Sequence, residues 1–167
     1  MSQKYQRHSV KSKNAKKILG MVSERLGVDL EASTGHRVNV EVVEADTNKL
    51  ILIDGDPLLF RVNDTLFPTL LFTEFVDSAP KIVVDMGAVR YVCKGADIMA
   101  PGIVKLDGEF SKGDLVVVVD VKHGIPLALG ESYCDAKTVK TARKGAVIKN
   151  LHYVSDKIWN LTKAIKT

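Results

Sequence analysis

The chain has 167 residues, room for one ordinary domain or two small ones, and 46% of them are hydrophobic against 26% charged. That balance excludes a disordered chain, and a core of this size can form without disulfides or a metal. The formal net charge is +4; no signal-peptide apolar region follows the first residues, and no apolar run nears the ~20 residues that cross a bilayer, so a cytoplasmic protein without a membrane span is expected.

The first predicted element is a helix. Ser12 is the expected N-cap, and Ala15, Ile18, Leu19, Val22 and Leu26 recur at helical spacing. Lys13, Lys16 and Lys17 lie towards the other side, and Gly27 suits the left-handed residue that ends a helix. A strand follows at Val38, Val40 and Val42, which alternate with Asn39 and Glu41. Lys49–Ile53 and Leu58–Val62 read as a hairpin over Asp54-Gly55-Asp56. Pro68 suits the first turn of a helix reaching Phe75, with Leu70, Leu71 and Phe75 inward. Asp77–Pro80 breaks the pattern. A domain boundary is placed there, giving an N-terminal domain over residues 1–78 and a second over 79–167.

The second half reads as strand-rich. Ile82–Val84 is a short strand, Gly87–Cys93 a helix of about two turns, and Gly95 its stop. Ile103–Leu106 is the next strand. Leu115–Val121 is almost wholly apolar and reads as a central one. Ile125–Gly130 returns, Asp135–Val139 has helical character, and Ala146–Ile148 is another strand. His152–Val154 and Ile158–Leu161 are expected to pair over Ser155-Asp156. Short strands with small helices between them predict an α+β chain whose second domain is a pseudo-barrel.

Charge is uneven along the chain. Residues 1–78 hold 10 basic and 11 acidic side chains, and residues 79–167 hold 14 and 9. Lys137, Lys140, Arg143, Lys144 and Lys149 form a run with no acid between Ala136 and Ser155. Such a run steers polyanions, or is simply solvated surface. No His-Glu-x-x-His, Cys-x-x-Cys, GxGxxG or phosphate-loop motif is present. Cys93 and Cys134 read as reduced thiols, and the four histidines are scattered. Asp54, Asp56 and Asp64 lack the spacing of a calcium loop. No catalytic residue, metal or cofactor is expected, which favours a binding module over an enzyme.

The segment from Asp85 to Gly102, with Gly95-Ala-Asp-Ile-Met-Ala-Pro-Gly102 at its end, resembles the start of a PUA domain. The similarity resumes from Lys144 to Trp159, and Phe67-Pro68-Thr69-Leu70 ahead of it is also alike. Together these resemble the malignant T-cell-amplified-sequence family and its archaeal relatives, over about residues 60–162. The resemblance implies a small α/β domain ahead of a PUA pseudo-β-barrel. It also implies RNA binding on the small ribosomal subunit, contact with tRNA, and a role in translation initiation or ribosome recycling. A separate SUI1-domain protein is the partner it implies.

The RNA-contacting positions of PUA domains fall here on Gly87, Arg90, Tyr91, Lys94, Gly95, Ala96, Asp97 and Met99, with His152 and Tyr153 from the end. The residues themselves agree in part. Arg90 and Lys94, four apart, would share a helix face and meet phosphate oxygens. Gly95-Ala96 lets a backbone come close. Tyr91 or Tyr153 can stack on an unpaired base, or serve the core. Gly95 can be merely a helix stop, and Met99 and Trp159 ordinary packing. Two other readings stand beside this one: an RNA-binding accessory subunit of an RNA-modification enzyme, and a protein-interaction scaffold.

Overall fold

The computed structural model describes residues 4–166. By its contacts the chain divides into two compact units, Met1–Phe75 with Asn160–Thr167, and Val76–Trp159. The dividing points fall at Phe75 and Trp159, whereas the sequence places a single boundary after residue 78 and leaves the chain's end in the second domain.

The first unit is built on a five-stranded antiparallel meander: β1 (Gln6–Ser9), β2 (Val40–Ala45), β3 (Asn48–Ile53), β4 (Asp56–Val62) and β5 (Thr65–Pro68), in that spatial order. The hairpin between β3 and β4 turns on Asp54 at φ 51° and Gly55 at φ 86°. Two consecutive positive φ values are what a tight hairpin of the right twist demands, and Asp-Gly supplies them cheaply. Leu50, Ile51, Leu52 and Ile53 are all buried. Successive strand side chains point to opposite faces, so both faces of β3 are covered. Helix α1 (Ser12–Leu26) buries Ile18 and Val22, and Gly27 closes it in the left-handed conformation at φ 70°. Ser12 is inside the helix; Lys11 holds the cap position and makes no side-chain cap bond. A short α2 (Leu30–Thr34) follows, capped by Asp29, whose side chain accepts from Ala32 N.

Pro68 is not the start of a helix. It ends β5, paired with Leu59, and Thr69 N donates to Leu58 O to extend that edge. The helix starts later, as α3 (Thr73–Ser78).

The second unit is a six-stranded sheet. Its strands are β6 (Lys81–Val84), β7 (Ile98–Met99), β8 (Ile103–Asp107), β9 (Leu115–Asp120), β10 (Pro126–Ser132) and β11 (Ala146–Tyr153). The spatial order is β7-β11-β10-β9-β6-β8, all antiparallel except β6 against β9. The edge strands β7 and β8 are consecutive in the chain and joined by one 3-10 turn, Ala100–Gly102. Laid flat, five strand spacings would part them by ~24 Å, while the connection from Met99 to Ile103 reaches at most ~14 Å. The sheet must therefore curl until its edges approach, and the pseudo-barrel follows from that short link. Inside it lie Ile82, Val84, Val116, Val118, Ala128 and Ile148, each essentially without exposure. Helices α4 (Met86–Val92) and α5 (Ala136–Thr141) add Val92 and Val139 to that core.

β11 is continuous where the sequence shows two separate strands. The segment expected to pair with its end is instead helix α6 (Lys157–Lys166). Asp156 accounts for that. Its Oδ1 accepts from Trp159 N at 2.7 Å, an N-cap bond, and its Oδ2 accepts from Tyr153 N at 2.9 Å.

Candidate RNA-binding surface

The candidate site is built on α4 and the turn that ends it. Asp85 starts the helix, its side chain accepting from Ala88 N at 2.8 Å. At the other end Gly95 N donates to Val92 O at 3.0 Å and Ala96 N to Tyr91 O at 3.1 Å. This nested pair is the Schellman closure, which needs a left-handed residue; Gly95 provides it at φ 95°. Gly95 is also a point of close approach. A Cβ added there would stand 3.0–3.2 Å from the ring of Tyr153 on β11.

Three residues hold the turn from beneath. Asn150 on β11 sends its side-chain amide to Val92 O and Ala96 O, both at 3.0 Å. Its backbone N–H donates to Asp97 Oδ1 at 3.0 Å, and Tyr133 O–H donates to Asp97 Oδ2 at 3.0 Å. That bond to Asp97, followed by burial, raises the Tyr133 phenol above its usual range. Asp97 is thus a structural acceptor that fixes the Gly95–Asp97 turn to β11 and to the residue that follows β10. Neither Asn150 nor Tyr133 is legible in the sequence as a site residue, because both act only once the sheet has curled; Asn150 carries the single signal of a polar residue inside an apolar strand.

Above this base the predicted contact residues divide. Gly87, Arg90, Tyr91, Lys94, Ala96 and Met99 are exposed. Tyr91 is 55% exposed, so it is not a core aromatic. The Arg90 guanidinium lies 4.9 Å from the centre of the Tyr91 ring and donates to its hydroxyl at 3.1 Å. The two form one cationic, aromatic unit on the surface. Lys94 does not share a helix face with Arg90 in the expected way, since α4 ends at Val92 and Lys94 lies in the closing turn. Tyr153 is half-buried, its ring forming the seat for Gly95.

His152 is a correction. It has no exposed surface, and its Nδ1 is 2.8 Å from Asp156 Oδ2. A carboxylate only accepts, so Nδ1 carries the proton, and the imidazole is spent inside the fold rather than offered to RNA. Burial pushes the Asp156 carboxyl up, but the hydrogen bond and charge of His152 and the Trp159 and Tyr153 amides hold it below the usual range. A carboxyl depressed in the folded state stabilises fully above its unfolded value, ~3.9, and loses that contribution as pH falls through its folded one. Asp156→Asn is therefore expected to flatten the acid limb of the stability profile below about pH 4, measured by urea unfolding across pH. An acid limb as steep as that of the parent would show that Asp156 does not carry it.

The basic run Lys137, Lys140, Arg143, Lys144 and Lys149 is exposed throughout. Lys137 and Lys140 lie on α5, Arg143 and Lys144 in the turn after it, and Lys149 on β11. Both cysteines are free and half-buried, and burial pushes each thiol up. Among the described residues no three His, Cys, Asp or Glu gather into a metal-holding group, and no helix is long and apolar enough to cross a membrane.

Comparison with known proteins agrees with this architecture. Residues 80–154 match the PUA domain, and residues 6–74 match a family described as Domain of unknown function (DUF1947). An uncharacterized protein of Methanocaldococcus jannaschii is 44% identical over 73% of this chain and 76% of its own length. Translation machinery-associated protein 20 of Saccharomyces cerevisiae is 31% identical over 74% of this chain and 72% of its own. The crystal structure of a hypothetical protein from Pyrococcus horikoshii, 34% identical, superposes with a TM-score of 0.75 over 94% of this chain and 99% of that one. A translation machinery-associated protein is thus among the relatives that match most of this chain and most of their own length. The chain belongs to the same family as these relatives, the PUA-domain proteins related to translation machinery-associated protein 20.

Proposed function

We propose that this protein binds RNA through the surface of α4, the Gly95 turn and the adjoining face of β11, and does so within the translation apparatus. The observation that carries the reading is the Arg90–Tyr91 unit and Lys94 standing beside a backbone turn that Asn150, Asp97 and Tyr153 immobilise. Cation, aromatic face and fixed backbone are the three things an unpaired nucleotide needs: a phosphate partner, a stacking surface and main-chain groups that do not have to be ordered on binding.

The kinship with a translation machinery-associated protein supports a place in the translation apparatus. The finer terms of the proposal are the small ribosomal subunit and tRNA as targets, initiation or recycling as the step, a separate SUI1-domain protein as partner and the cytoplasm as the place of action. In this reading Lys137, Lys140, Arg143, Lys144 and Lys149 supply a long-range field that gathers RNA without choosing its sequence.

The test is RNA affinity over a salt series for Arg90→Ala, Lys94→Ala and the pair. Each single change is expected to weaken binding about five- to tenfold and to shrink the salt slope by about 0.7, one single-strand phosphate contact. A folded double variant with parental affinity and slope would remove this surface from consideration. Crosslinking with sequencing of the bound RNA then separates ribosomal RNA and tRNA from the substrates of a modification enzyme.

A further inference from the structure

A second surface of the PUA unit has different chemistry. Between strand β8 and helix α5 lies a groove of about 650 Å³. β8 is the last strand of the sheet and pairs with β6 alone, so its outer edge is without a strand partner among the described residues. Val104 on that edge is 52% exposed. The groove is lined by Val104, Lys105 and Leu106 from β8 and by Lys137, Val139 and Lys140 from α5, with Glu109 its one carboxylate. Of the residues given a part in RNA binding, only the steering lysines Lys137 and Lys140 line it; none from α4, the Gly95 turn or β11 does.

We propose that this groove receives an extended acidic segment of a partner protein, which adds to β8 as a further strand. The edge offers unpaired main-chain donors and acceptors, the strongest general reason for a peptide to dock in extended form. The exposed side chain of Val104, with half-buried Leu106 beside it, gives its apolar side chains something to cover, while Val139 beneath belongs to the core. Three lysines against one carboxylate select glutamate and aspartate in the segment.

Other occupants fit worse. The groove has no arginine fork and no aromatic ring among its lining residues, the groups with which proteins hold unpaired bases. RNA would also leave the strand edge and its apolar side chains unmatched. A second copy pairing β8 antiparallel to itself about its middle residue would set Lys105 opposite Lys105, a like-charge cross-strand pair.

The test uses the full isotope-labelled chain and two synthetic probes of roughly eight residues, one alternating valine with glutamate and the other valine with lysine, a length that covers β8 with residues to spare. The valine–glutamate peptide is expected to shift amides of β8 and α5 while leaving those of Arg90–Asp97 in place. The triple variant Lys105→Glu, Lys137→Glu, Lys140→Glu, exposed at all three positions, should bind it at least about tenfold more weakly and should instead bind the valine–lysine peptide. That exchange of preference is a gain of binding, which a misfolded variant cannot show. Three results would overturn the proposal: peptide shifts outside β8 and α5, no exchange of preference in the folded variant, or an oligouridylate that perturbs the β8 amides at lower concentration than the peptide does. The RNA reading has its own readout at Arg90 and Lys94, so either proposal can fail alone.

Discussion

Gly130→Ala will destabilise the PUA unit by about 3 kcal/mol and lower its melting temperature by about 10–20 °C. Gly130 lies within β10, opposite Val116 on β9 and Asn150 on β11. Its backbone needs no left-handed conformation, so the cost is one of space. A Cβ there would be 2.4 Å from Ile148 Cγ2, 3.2 Å from the Lys149 carbonyl oxygen and 3.4 Å from Val116 Cγ2. Ile148 and Val116 are wholly buried and Lys149 O is main chain, so no flexible end can swing away. The added methyl must push β11 off β10 or force Ile148 out of its rotamer. The branch methyl of Ile148 makes the shortest contact, and leucine lacks it. Gly130→Ala with Ile148→Leu is therefore expected to recover more than half of what the single change loses, in urea and thermal unfolding. A single-variant loss below about 1 kcal/mol would mean that the strands part freely at the bulge beside Leu129 and Gly130.

The bulges also explain which parts of the fold are readable in the sequence. Where the local pattern is strong, the type and place of the element agree with the structure: α1 with its Gly27 stop, the Asp54-Gly55 hairpin, and the apolar β9. β11 reads as two strands because its pairing shifts register twice, between Leu129 and Gly130 against β10 and between Ala146 and Ile148 against β7. Each shift throws the inward residues out of a period of two. β1 leaves no trace because all four of its residues are exposed; a strand that buries nothing has no hydrophobic pattern. The segment after Ser155 reads wrongly as a strand although Asp156 is a legible cap. Its apolar residues Ile158 and Leu161 fit one helical turn as well as a strand, and the cap decides between them.

The candidate site divides on the same line. Arg90, Tyr91 and Lys94 are exposed groups on or just beyond a local helix, and their chemistry is legible in the residues alone. His152 reads wrongly as a contact because nothing in the residues themselves shows which face of β11 it takes. Asn150 and Tyr133 act across 53 and 36 positions of chain to Asp97, distances that no local pattern reports.

Asn150 carries the second large effect. Asn150→Asp is expected to cost about 3 kcal/mol and to weaken RNA binding about tenfold without removing any phosphate contact. The side-chain amide faces two carbonyl oxygens, Val92 O and Ala96 O, so the nitrogen must sit on that side; turning the amide over would aim its oxygen at both. Its own oxygen, Oδ1, is buried without a hydrogen-bond partner, so the site has no donor to offer a carboxylate. An aspartate there loses two bonds and sets a negative oxygen against two carbonyls, near the Asp97 carboxylate that its backbone N–H must still reach. Protonation relieves this, since a carboxylic acid can return one O–H bond. The aspartate in the variant should thus have its folded pKa raised above the unfolded ~3.9, with the stability deficit small below that value and growing as pH rises through the folded one. At neutral pH the freed turn should show faster hydrogen exchange at Gly95, Ala96 and Asp97 than in the parent. RNA affinity should fall because the turn must now be ordered on binding, yet the salt slope should stay that of the parent, with Arg90 and Lys94 intact. A shallower slope would assign Asn150 to charge presentation instead. Unchanged affinity with faster exchange would show that RNA does not use the rigidity of the turn.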